Sequence, residues 1–242
     1  MGLTSSRWVN SGFFRVHLWV LMGLNTLASL AIITQRESLS RTTSSIPVVL
    51  GIAIGLAVAS YVGATLWLYE RATAGRAVLF MIMLSALVAA WLVVPQRESA
   101  NTSGFLLEVA DLVSSGLLLG FTLSAMFLGH WYLNTPTMEL LPLKRLVMFM
   151  AVAIVGRALI NGVGLGLQVH GSDVFEGGFW IFVALRWLSG LIGTFLLAVM
   201  SWYALKVPNT QSATGILYAG VILAFIGELT SEFLSLDALY PL

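Results

Sequence analysis

Seven apolar runs, each long enough to cross a bilayer and cut from the next by a short polar stretch, constrain this chain more than any motif in it. They fall at about 13–34, 46–69, 77–94, 105–133, 145–168, 179–205 and 214–236. Backbone polar groups in hydrocarbon must be satisfied within their own segment, so runs of this length predict helices. The expected fold is all-α: a polytopic membrane bundle of about seven helices, with residues 1–242 forming one integral membrane domain. At 58% hydrophobic and 10% charged residues the chain has too little charge to coat a soluble domain, which makes the lipid bilayer its first partner.

Lys and Arg near the span ends set the orientation. One side collects Arg7, Arg15, Arg71, Arg76, Lys144, Arg145 and Lys206, the other only Arg36, Arg41 and Arg97. This bias predicts a cytoplasmic amino terminus, an external carboxyl end and residence in a bacterial-type inner (cytoplasmic) membrane. The first apolar run lacks the short core and small-residue cleavage site of a secretory signal, so it is expected to stay in the membrane. The connections, such as 35–45 and 95–104, are short and polar and leave no room for a soluble domain. A catalytic head would then belong to other subunits of a membrane complex.

A net charge of +1 without a basic run removes the electrostatic footprint of nucleic-acid binding. The absence of cysteine excludes disulfides, iron–sulfur clusters, thiolate zinc and c-type haem attachment. No phosphate loop, Gly-x-Ser-x-Gly elbow or His-Glu-x-x-His helix occurs, and the last run has no lysine for a retinal Schiff base.

Small residues mark helix contacts. Gly51, Gly55, Ala59 and Gly63 recur every four residues, which predicts a close-packing face on the second span. Arg157, Asn161, Gly164 and Gln168 share a face of the fifth span, and Arg186, Ser189, Gly190 and Gly193 share one on the sixth. Trp8, Trp131, Tyr132, Trp180, Trp202 and Tyr203 stand at span ends, where their amphipathic rings suit the headgroup layer.

Six ionisable residues lie inside the spans away from the ends where a side chain could snorkel to the interface: Glu108, Asp111, Arg157, Arg186, Glu228 and Glu232. Each ion costs about 2.5–3.5 kcal/mol near a helix centre, so they are expected to find one another. Two readings follow: buried pairs that fix helix register, or a pathway for protons or a ligand. On the fourth span Asp111, Ser115, Thr122, Gly129 and His130 fall within about 60° of Glu108, one polar stripe on an apolar helix.

That stripe ends in the run from His130 through Trp131 and Tyr132 to Asn134, Thr135 and Pro136. A titratable imidazole, two aromatic faces, an amide and a hydroxyl suit a quinone headgroup, and equally an aromatic belt closed by a proline. His17 and His130 fall at the same membrane face and supply the one bis-histidine pair for a b-type haem, whereas His170 lies at the other face. Three functions therefore stand: a redox-complex membrane subunit interacting with quinone, a proton-coupled secondary transporter, and a noncatalytic scaffold subunit.

Overall fold

The helices form where the apolar runs lie. In the computed structural model, which describes residues 9–36, 45–93, 102–135, 138–171, 177–236, 238 and 240–242, the helices are α1 (Ser11–Thr34), α2 (Ile46–Leu68), α3 (Ala72–Val93), α4 (Thr102–Asn134), α5 (Leu141–Gly171), α6 (Phe179–Lys206) and α7 (Thr210–Leu236). All seven are long and apolar enough to cross a membrane, and the chain is an integral membrane protein. Arg7, Trp8, Arg41, Arg97 and Pro136, together with most of the connections 35–45 and 95–104, lie outside the described residues.

Local chemistry explains the ends. Asn10 caps α1 by accepting from Gly12 N–H at 3.2 Å, and Asn209 caps α7 by accepting from Ser212 N–H at 2.9 Å. Pro47 and Pro142 stand in first turns, where no intrahelical N–H bond is lost. This lets α5 begin at Leu141, four residues before the expected start. Between α2 and α3 the amides of Glu70 and Arg71 return to the carbonyls of Trp67 and Leu66 at 3.2 and 3.0 Å. The turn needs a left-handed residue at Glu70, whose φ is 56°.

The chain divides into two compact units, residues 1–94 and 95–242. In the first, α2 packs against both α1 and α3. Phe14 stacks on Trp67 with ring centroids 4.2 Å apart, and a Cβ placed on Gly63 would stand 3.1 Å from both Leu18 and Val78. The four-residue stripe splits: Ala59 and Gly63 are buried, but Gly51 and Gly55 are exposed, with no described atom within 4 Å of where their Cβ would be. Small residues permit close approach without requiring it, so their spacing alone overstated this contact face.

In the second unit α4 packs on α5 and α7, and α6 on α5 and α7, closing a four-helix ring. The exterior is apolar, as at Leu159, Ile181 and Phe233, and the polar side chains turn inward. That is the inverse of a soluble bundle and fits contact with lipid.

Candidate functional site

Arg157 is the centre of the interior of the α4–α7 unit. It sits midway along α5 with no exposed surface, and every neighbouring helix but α6 gives it acceptors. Its Nη1 pairs with the Asp111 carboxylate of α4 and donates to the Asp111 carbonyl at 2.8 Å and Ser114 Oγ at 3.2 Å. Its Nε and Nη2 donate to the two oxygens of Glu228 on α7 at 3.3 and 2.8 Å, the fork that planar guanidinium geometry favours. Nη2 also lies 3.3 Å from Ser231 Oγ.

Arg186 of α6 completes the network. Its Nη2 donates to Asn161 Oδ1 at 2.8 Å, and its Nη1 stands 3.1 Å from Glu228 Oε1. Asn161 in turn donates to Asp111 Oδ1 at 3.3 Å, and Ser115 donates to Glu228 Oε2 at 2.5 Å. Two guanidiniums thus face two carboxylates across four helices. The cluster is neutral as a whole, the condition under which ions survive burial in a bilayer. Arg186 Nε has no hydrogen-bond partner among the described residues although the residue is buried, a cost of about 1–3 kcal/mol for such a donor.

The backbone of α6 widens to place Arg186. From Arg186 to Gly193 it follows a π-helical path, so Arg186, Gly190, Leu191 and Thr194 are the buried positions. Ser189, which α-helical spacing groups with Arg186, instead donates back to the Leu185 carbonyl at 2.6 Å. Gly190 crosses Gly227 of α7 so closely that a Cβ on Gly190 would stand 2.6 Å from the Gly227 Cα and 3.1 Å from Arg186 Nη1. Both glycines are needed for the guanidinium to lie against this crossing.

Of the six ionisable residues expected away from the span ends, four meet here: Asp111, Arg157, Arg186 and Glu228. Glu108 is buried one turn before Asp111 and joins none of these ion pairs, and Glu232 is exposed on α7 beyond them. Ser114, Ser231 and Gly227 belong to the site without having been singled out by sequence. Their types are ordinary, and only the register between helices gives them a role.

The aromatic end of α4 lies elsewhere. Ser115 meets Glu228 and Gly129 meets Thr214, so α4 and α7 run antiparallel in constant register. These two levels are fourteen residues, about 21 Å, apart along the helices. At the far level His130 is exposed, and its Nδ1 stands 3.2 Å from the hydroxyl of Tyr218 on α7. The two rings meet edge to face with centroids 6.3 Å apart.

Tyr132 points away from this pair. It is buried, and its hydroxyl donates to the Glu139 carbonyl across the turn into α5. Trp131 is half-buried between them in sequence. His130 and Tyr132 thus have separate polar partners, Tyr218 for the imidazole and the Glu139 carbonyl for the phenol.

His17 is buried in α1, with its Nδ1 2.5 Å from the Phe13 carbonyl oxygen and the Phe13 ring 4.0 Å away. It belongs to the first unit and His130 to the second. Among the described residues no group of three or more His, Asp or Glu side chains is gathered to hold a metal ion. Comparison with protein-family models, curated proteins and solved structures found no match for this chain.

Proposed function

We propose that this chain is the membrane subunit of an electron-transfer complex and exchanges protons with a quinone at the His130–Tyr218 pair. The observation that carries the reading is the 3.2 Å contact between His130 Nδ1 and the Tyr218 hydroxyl at an exposed helix end beside Trp131. Reducing a quinone to a quinol adds two electrons and two protons, so each carbonyl needs a neighbour that can give up and recover a proton. An imidazole bonded to a phenol is such a relay, since the ring nitrogens can take up and release a proton and the phenol can both donate and accept.

In this reading the electrons come from a partner subunit, and the Arg157 cluster holds the four helices in register while the far end does the chemistry. The Lys and Arg bias assigns the amino terminus to the cytoplasmic side of a bacterial-type inner membrane.

Gentle purification, with chemical extraction of quinone, oxidised and dithionite-reduced spectra and identification of copurifying chains, tests the proposal. Bound quinone together with a redox partner is the expected result. A colourless, quinone-free protein isolated alone overturns it. The second reading, proton-coupled transport, is favoured by the π-helical stretch that carries a buried Arg186, because broken or widened helices recur at functional sites within membranes. Substrate-driven proton movement in proteoliposomes that is lost in Glu228→Gln would establish it instead.

A further inference from the structure

Beyond α7 the chain turns back on itself, and residues 240–242 enter the α4–α7 ring at the end where α5 stops and α6 begins. Leu242 is buried against Val183 of α6 and Leu234 of α7, with Leu165 of α5 beside them. Its N–H donates to Ser235 Oγ at 3.1 Å, and its main-chain oxygen accepts from Ser231 Oγ. On the other side the Pro241 carbonyl oxygen rests on α5 at Gly164, where a Cβ would collide with it. Because α5 and α7 stand opposite each other in the ring, a segment that touches both lies across its mouth.

One serine joins this segment to the ions. Ser231 Oγ donates to Leu242 and lies 3.3 Å from Arg157 Nη2, and Leu242 shares a crevice with Asn161 and Arg186. On the far side of the ions the interior is apolar and closed, filled by Leu118, Met150, Ala198 and Ala224. Asp111 keeps a partial exposure of 16%, whereas Arg157 and Glu228 lie deeper. We propose that residues 240–242 are a removable plug: seated, they keep water from Arg157 and Glu228, and withdrawn, they open a hydrated path from this mouth to both. The described fastenings are few, namely one apolar side chain, two serine hydrogen bonds and the Pro241 contact, and the ions beneath gain hydration when the segment leaves. Withdrawal brings the Glu228 carboxylate into contact with water, the condition for it to take up or release a proton. The plug acts by filling space, so it depends neither on the charge that Leu242 carries nor on what the His130–Tyr218 pair binds.

The sequence has no cysteine, so one introduced thiol reports on one place. Ser114→Cys puts a thiol where a hydroxyl now stands 3.2 Å from Arg157 Nη1, and Ser201→Cys puts one in the buried interior toward the other end of the ring. Each is made in the full-length protein, reconstituted in lipid vesicles and treated with the water-soluble thiol reagent sulfonatoethyl methanethiosulfonate. Each is then combined with Gly164→Ala, whose Cβ collides with Pro241, or with Leu242→Ser, which removes the apolar anchor. Modification at Ser114→Cys is expected to rise about tenfold in both combinations, since labelling tracks the open fraction, while Ser201→Cys stays unreactive throughout. A rate at Ser114→Cys unchanged by either plug variant overturns the proposal. So does a parallel rise at Ser201→Cys, which would mean that the ring has loosened as a whole.

Discussion

In the α1–α3 unit the helices meet through stacked rings and apolar side chains seated on glycine, whereas in the α4–α7 unit ions join the close backbone crossing of Gly190 and Gly227. Phe14 on Trp67 and Leu18 over Gly63 are contacts of shape, and removing one leaves a void. Arg157 with Asp111 and Glu228 is a contact of charge, and removing one partner leaves an ion stranded in the bilayer. The difference teaches what each unit tolerates. The first should lose stability roughly in proportion to volume deleted. The second should be hypersensitive to single changes yet forgiving of complete, matched ones.

Arg157→Ala is the largest expected break. It leaves Asp111 without a counter-ion and Glu228 with Arg186 alone, and should destabilise the α4–α7 unit by about 3–5 kcal/mol, read by unfolding in detergent. Replacing Asp111, Arg157, Arg186 and Glu228 together by apolar residues of similar volume should recover most of that loss if the cluster serves only assembly; no recovery would mean that the ions do more than match one another. Next comes Phe14→Ala, expected to cost about 3 kcal/mol through the cavity left against Trp67. Gly190→Ala should follow at about 1–3 kcal/mol, because its Cβ would meet the Gly227 backbone. Smallest is Gly55→Ala, whose Cβ enters open space; a change within about 0.5 kcal/mol is expected from the same unfolding curve. A large loss at Gly55 would show that its face is covered in the membrane.

The spans were legible because hydrocarbon imposes a length and a composition that a single chain must display. So was the face of α5 that carries Arg157, Asn161, Gly164 and Gln168, all of them buried, since one helical period places them together. The contributions of Ser231, Gly227 and Tyr218 were not legible. Each depends on the register of α7 against a neighbouring helix, and no period within one helix encodes that register. The π-helical stretch of α6 was hidden for a related reason: α-helical spacing grouped Ser189 with Arg186, and the widened turn separated them. The Glu139 carbonyl that takes the Tyr132 hydroxyl was not legible either, because it comes from the following turn and not from the period of α4.

The most direct measurement is the quinone content of the purified native protein beside that of a His130→Ala, Tyr218→Phe double variant, with ring assembly verified by unchanged unfolding of the Arg157 cluster. The proposal predicts bound quinone in the native protein and a loss of about tenfold or more in the variant, since both proton-exchanging partners are gone. Quinone-free native protein, or equal content in the two, would contradict it.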